Sequence, residues 1–463
     1  MTEVNRQLLP EPLLTWIERA LDGEIVRIRP RAGGGAVRSG AEVDVQRRDG
    51  RLERGFLAYD GGQRIIPGAR EKHLREASLL QALADTGIRA PRLLASDADL
   101  RAHLFEFVEG EDRFMRLKDS QEAMAVATEF IGELARLHNL DPAELALEGF
   151  GPIEPPARTI LRRIEELEAE HTAAGPPDPF IVYGLQWLRR HVPAYDGPVV
   201  VAHGDAGPGN FLFQDGRLKV VLDWELAHYG DPLEDFAWMS IRAIIQAWVP
   251  FPPLLGEYER LSGIPVDLDR IRFYRIYTLL GMMVGSHRRF FQEPAKLAGQ
   301  GRLGGGLMFA TVHRRAYVHG LADALGLELP PVDLPYAAPT ATEPFMESVL
   351  KEIRDVIVSR TDDQVIAETA KDSARVLKYV MLRQRLEAVL LADELDDLAR
   401  VLGHRPADVM AARAELVARI RTQSVDDAIM IGVLWRRVSR ETAMMRDSLG
   451  ALAERVFPPL TQA

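Results

Sequence analysis

Over the first hundred positions the apolar residues change period several times. Residues 11–22 place Leu13, Leu14, Ile17 and Leu21 on one helical face. Ile25–Pro30 then alternates apolar and charged positions, as do Val43 and Val45, which is the pattern of half-buried strands. Asp49-Gly50 marks a hairpin turn, and Leu52–Tyr59 reads as the returning strand. A helix is predicted over His73–Thr86, with Leu74, Ala77, Leu80 and Leu83 facing the core and Gly87 closing it. Leu93–Ala95 and His103–Val108 add two strands before Gly110. The pattern predicts a β-rich lobe with one helix inside its strand order.

From Ser120 the period becomes helical. Met124, Ala127, Ile131, Leu134 and Leu137 line one face of residues 120–139. Pro155-Pro156 breaks the chain ahead of a charged amphipathic helix at 157–173, and Gly175–Pro179 breaks it again before a helix ending near His191. Val199–Ala202 is a buried strand. Phe211–Phe213 and Leu218–Leu222 flank Asp215-Gly216, a second hairpin signal. Helices are expected from Pro232 to Gly326. Pro330, Pro331, Pro335, Pro339 and Pro344 then define a linker over 328–344. Beyond it, residues 345–402 contain neither Gly nor Pro and carry helical stripes such as Val349, Ile353, Val356 and Ile357, then Val376, Tyr379, Val380, Leu386 and Leu390. Ser424 with Asp427 reads as a helix N-cap pair. The expected organisation is a lobe at 1–110, a helical lobe at 111–327, the linker, and a separate helical bundle at 345–463.

Composition narrows the chemistry. With 463 residues, more than one domain is expected. A formal net charge of −11 argues against a nucleic-acid partner, which would want a basic face. The chain has no cysteine, so disulfides and thiolate-bound metals are excluded. Its first residues lack an apolar signal core, and no apolar run approaches the ~20 residues needed to cross a bilayer. A cytoplasmic protein with no membrane partner is expected.

One stretch concentrates the candidate chemistry. His203-Gly-Asp205-Ala-Gly-Pro-Gly-Asn210 puts a carboxylate and an amide on one short loop, and the strand Val220-Val-Leu-Asp223 delivers a second carboxylate beside them. One carboxylate can orient an acceptor hydroxyl, while the amide and the other carboxylate hold Mg²⁺ on a nucleotide's phosphates. Turn-forming Asp and Asn could also simply fill loops.

Together with Asp223-Trp-Glu225 and Gly230-Asp231-Pro232-x-x-Asp235, this loop resembles the aminoglycoside phosphotransferase-like family over roughly residues 25–325. The resemblance implies an α+β, bilobal protein-kinase-like fold, with the C-terminal all-α bundle outside it. It implies ATP- or GTP- and Mg²⁺-dependent phosphoryl transfer to a hydroxyl of a small molecule. Asp205 would be the catalytic residue, Asn210 and Asp223 the metal ligands, and His203 a brace for the loop; Asp231 and Asp235 would be structural. Gly33, Gly34 and Gly35 would cover the phosphates, Glu76 would pair with a basic residue on the third strand, and backbone groups of Glu106 and Val108 would face the base. That basic residue should fall near Ala58, where none stands; Arg54 and Arg64 are candidate substitutes. Glu165, Glu166, Glu168 and Glu170 could attract a cationic acceptor, or Arg288-Arg289 an anionic one. Some relatives are fused to acyl-CoA dehydrogenases and act on hydroxyacyl thioesters, which adds hydroxyacyl-CoA to sugar-like acceptors. Two rivals stand beside this reading: a pseudokinase that binds without transfer, and a metal-dependent phosphoesterase. The helical tail is a candidate homodimer interface.

Overall fold

The computed structural model describes residues 5–31, 38–60, 68–292, 303–333, 336–422 and 425–461. The chain packs as two compact units: Met1–Pro156, Asp196–Val266 and Pro458–Ala463 form one, and Ala157–Tyr195 with Asp267–Phe457 the other. This division cuts across the expected segments, because residues 157–195 pack with the later helices.

The first unit opens with α1 (Glu11–Leu21), then β1 (Gly23–Arg31), β2 (Ser39–Arg47), β3 (Leu52–Tyr59), α2 (Ala69–Leu83), β4 (Leu93–Asp97) and β5 (Ala102–Glu106). The strands form one antiparallel sheet in the order β1-β2-β3-β5-β4. The predicted face of α1 lies on it: Leu13, Leu14 and Ile17 share a core with Val43, Val45, Leu57 and Leu104. The α2 helix starts and ends earlier than the apolar spacing indicates. Its first turn is the charged run Ala69–Lys72, invisible to that spacing. Leu74 is exposed, while His73 and Glu76 are buried, so polar groups hold part of the inner face. Val108 lies beyond the end of β5.

α3 (Ser120–His138) follows, and α4 (Pro156–Ala174) and α5 (Pro179–Arg190) pass to the second unit. The chain returns through β6 (Val200–Ala202), β7 (Phe211–Gln214), β8 (Arg217–Val221), β9 (His228–Gly230), α6 (Leu233–Ile245) and α7 (Phe251–Ser262). β7 and β8 form the predicted hairpin, and β6 pairs with β9.

The second unit adds α8 (Leu268–His287), α9 (Leu303–Leu325), α10 (Glu343–Glu352), α11 (Gln364–Leu402), α12 (Val409–Thr422) and α13 (Asp427–Leu449). α5 is apolar on nearly every side, with Phe180, Ile181, Val182, Tyr183, Leu185 and Leu188 all buried, so it must be covered all round; α8 and α12 both pack on it. Among these helices Arg437 forks onto Asp178 at 2.9 and 2.8 Å, and Arg314 onto Glu441 at 2.7 and 3.1 Å. The Gly- and Pro-free run at 345–402 is not one helix. A π-turn over Ile353–Ile357 ends α10, and Asp363 restarts the helix by accepting the Val365 and Ile366 N–H groups. Asp426 caps α13 through the Ile429 N–H; the expected cap, Ser424, lies outside the described residues. No described helix is long and apolar enough to cross a membrane.

Candidate active site

The loop between β6 and β7 is tied at three places before any ligand is considered. Asp235, fully buried in the first turn of α6, accepts the backbone N–H groups of His203 and Gly204 at 2.8 Å each. Its third partner is His138 at 3.0 Å, whose other ring nitrogen meets the Tyr258 hydroxyl at 2.8 Å. Burial alone would raise the Asp235 carboxyl, but His138 outweighs it and holds the group below its ordinary range. Gly204 has φ +77, and a Cβ there would come within 2.3 Å of the Leu226 carbonyl, so only glycine fits this turn. Asp235 is structural, as the resemblance implies, and the loop hangs on it.

His203 is the brace expected. Its Nε2 donates to the Leu222 carbonyl at 2.9 Å, its Nδ1 faces the Asp205 N–H at 3.3 Å, and burial keeps it neutral by lowering its pKa. The Leu222 N–H in turn donates to the Asn210 carbonyl at 2.8 Å. The end of β8 is thereby stitched to the loop on both sides, which delivers Asp223 to it. Asp223 adopts φ +65, a left-handed conformation unusual for a residue with a Cβ.

Arg242 of α6 is the residue sequence reasoning missed. Its guanidinium spans both Asp205 carboxylate oxygens at 2.8 and 2.9 Å, the Asn210 Oδ1 at 2.8 Å and the Pro208 carbonyl at 2.9 Å. The Asn210 amide completes the ring, donating to Asp205 Oδ2 at 2.7 Å. Gly209 (φ +94) makes room for this clamp, since a Cβ there would lie 2.9 Å from Arg242 Nη2. An arginine within a largely apolar helix carries no local signal.

Opposite the loop stands a cluster of acids around one cation. Burial first, then Glu225, Asp205 and Glu76, push the Asp223 carboxyl up to about 7. Glu225 is raised as well, chiefly by burial. Arg38 donates to Glu76 at 2.6 Å and lies 3.2 Å from Glu225. Glu76 is buried, with His103 Nε2 at 3.4 Å; burial would raise it, but His103 and Arg38 hold it down at about 2. So Glu76 has its basic partner, though not from the third strand. Arg54 instead reaches the exposed Glu109 at 3.3 Å and lies over the Phe107 ring. Arg64 and Gly33, Gly34 and Gly35 lie outside the described residues.

The other sequence candidates fall elsewhere. The Glu106 N–H donates to the Arg92 carbonyl at 2.9 Å, just before β4, so that group is taken. Glu166 and Glu170 pair with Arg163 at 2.9 and 3.1 Å, and Glu168 pairs with Arg189. These carboxylates are partnered on helix faces. Among the described residues no three carboxylates or imidazoles gather closely enough to cage a metal ion by themselves.

Residues 48–274 match the model of the phosphotransferase enzyme family, and the fold is kinase-like. Over 266 residues the chain is 29% identical to acyl-CoA dehydrogenase family member 11 of Homo sapiens, the match taking 52% of this chain and 33% of that protein. Acyl-CoA dehydrogenase family member 10 of Mus musculus is 28% identical over 224 residues, 45% of this chain and 20% of that one. The chain thus spans about a third or less of the length of these relatives. A crystal structure from Ralstonia eutropha, assigned as an aminoglycoside phosphotransferase, superposes with a TM-score of 0.53 at 19% identity, covering 69% of this chain and 99% of that one.

Proposed function

We propose that the chain transfers the γ-phosphoryl group of ATP or GTP to a hydroxyl of a small molecule. The observation that carries the reading is the Asp205–Asn210–Arg242 clamp with Asp223 close enough to feel the charges of Asp205, Glu225 and Glu76. Asp205 accepts the acceptor hydroxyl and aims its oxygen; with Arg242 forked across it, Asp205 works by orientation more than by basicity, which suits a loose transition state. Asn210 and Asp223 are the residues to hold Mg²⁺. The donor set fits: both are hard oxygen ligands, the Asn210 Oδ1 keeps a second lone pair, and Asp223 carries repulsion from Glu225, Asp205 and Glu76 that a divalent cation would relieve. Two protein ligands are few, so phosphate oxygens and water would complete the shell. The bound ion would neutralise charge on the phosphates. Glu106 and Val108 remain the proposed base contacts, through the Glu106 carbonyl and the Val108 backbone.

Hydroxyacyl-CoA is the first acceptor to try, because two similar proteins bear acyl-CoA dehydrogenase names; sugar-like alcohols come second. The partnered glutamates of α4 count against a cationic acceptor. A cytoplasmic location, and a homodimer through residues 345–463, complete the proposal. The pseudokinase rival leaned on the missing base near Ala58, and Arg38 beside Glu76 takes that support away.

The test is a thermal-shift screen with Mg-ATP and Mg-GTP, followed by turnover of hydroxyacyl-CoAs and sugars. Wild type should be stabilised by one nucleotide. Asp205→Ala should keep that stabilisation while losing about 10²–10⁴-fold in turnover. Absence of stabilisation by either nucleotide sinks the reading.

A further inference from the structure

Ala58 leaves its position on the third strand without a cation, yet the face it lies on has one. β2 pairs with β3 so that Gly40 stands opposite Ala58, and β3 pairs with β5 so that Ala58 stands opposite His103. Cross-strand partners share a face of the sheet. His103 touches Glu76 from that face at 3.4 Å. Arg38 stands two residues before Gly40, so the alternation of the extended chain returns its side chain to the same face. From there it reaches Glu76 at 2.6 Å. The charge has moved diagonally, from the middle of β3 to the entrance of β2.

Three features make Arg38 more than a structural partner for Glu76. Its guanidinium is shared between Glu76, which is buried, and Glu225, whose side chain is 29% exposed. Both Arg38 contacts run through Nη2, and among the described residues Nη1 and Nε carry no bond. The group also lies close enough to Asp223, the proposed metal ligand, to offset part of the negative charge gathered there. Of the neighbouring cations, Arg75 donates to the Glu225 carbonyl at 3.3 Å and lies over Phe150, Arg54 pairs with Glu109, and Lys72 acts on Glu225 without touching Glu76 in any described contact.

We infer that Arg38 is the residue that grips the nucleotide's phosphates, with Glu76 fixing its direction and Glu225 holding its outer face until an anion displaces it. The inference rests on the phosphotransferase reading above. It assigns to β2 the cation that the sequence pattern places on β3, and it makes Glu225 a competitor of the phosphates.

The test measures binding of ATP, ADP and AMP by calorimetry, with Mg²⁺ present, to wild type, Arg38→Met, Glu225→Gln and the double variant Arg38→Met/Ala58→Lys. Arg38→Met should weaken ATP and ADP by about ten- to a hundredfold, the scale of hydrogen bonds to a charged group, and AMP much less. Glu225→Gln should tighten ATP several-fold. Ala58→Lys, aimed at Glu76 from the opposing strand, should restore part of the lost ATP affinity. Arg38→Met binding ATP as wild type does, or losing AMP and ATP equally, overturns the inference and leaves the function standing. Should Arg38→Met not fold, Glu225→Gln decides: unchanged or weaker ATP binding overturns the inference. Wild type that binds no ATP here and is not stabilised by Mg-GTP in the thermal-shift screen overturns both readings at once.

Discussion

The two halves of this site are held by different means. Around Asp205 the loop's backbone is tied to buried Asp235 and to Leu222, and Arg242 adds a four-point clamp, three of its contacts to the side chains of Asp205 and Asn210 and one to the Pro208 carbonyl. Around Arg38 the contacts are side chain to side chain, and one of them, Glu225, is partly open to solvent. Backbone ties cannot rearrange without unmaking the loop, whereas a side-chain ion pair can change partners. The first arrangement suits a group that must be aimed the same way in every cycle. The second suits a place where a charged ligand must enter and leave.

Asp235→Ala offers the largest break in that comparison. It strands two buried N–H groups and His138, and should cost about 3–5 kcal/mol, the range for removing one partner of a buried charged network. Chemical denaturation would read it. A loss under 1 kcal/mol would mean the loop does not depend on this anchor.

Arg242→Ala should come next, and should separate the halves. Turnover should fall about a hundredfold, as Asp205 and Asn210 lose alignment, with nucleotide affinity little changed. Equal loss in both would show that the clamp and the phosphate grip are one unit.

A smaller effect concerns pH. Burial alone would lower the His228 imidazole, but Glu234 at 3.2 Å outweighs it and raises the group to about 9. A raised folded-state value binds protons more tightly than the unfolded chain does. The stabilisation is therefore complete below about pH 6.5 and lost as pH rises through about 9. Melting temperature should fall across that window in wild type and fall less in His228→Gln. Parallel curves would refute the pairing.

The smallest effect belongs to the charged helix α4. Glu166→Gln and Glu170→Gln should each shift stability by less than about 1 kcal/mol, as exposed ion pairs do, and leave the acceptor KM unchanged. A raised KM would revive the cationic acceptor.

Local rules reached far into this fold. Strand periods, helix faces and the Asp49-Gly50 turn set the lobe's sheet, Asp215-Gly216 set the β7–β8 hairpin, and the run from His203 to Asp223 put carboxylate, amide and carboxylate close along the chain. Those are properties of neighbours along the chain, where period and turn chemistry are decided. The start of α2 was hidden because charged residues carry no apolar spacing. The break after α10 was hidden because a π-turn needs neither Gly nor Pro.

What the sequence by itself determined is the list of chemical groups and their order: Asp205, Asn210, Asp223, Glu76, and the empty place at Ala58. Only tertiary structure decided which groups complete them. Arg38 and Glu76 are 38 positions apart, and Arg242 and Asp205 are 37. No helical or strand period links residues so distant. Sheet register brings the first pair together, and the packing of α6 under its loop brings the second. An arginine's reach makes either contact possible, but only the folded backbone selects the arginine.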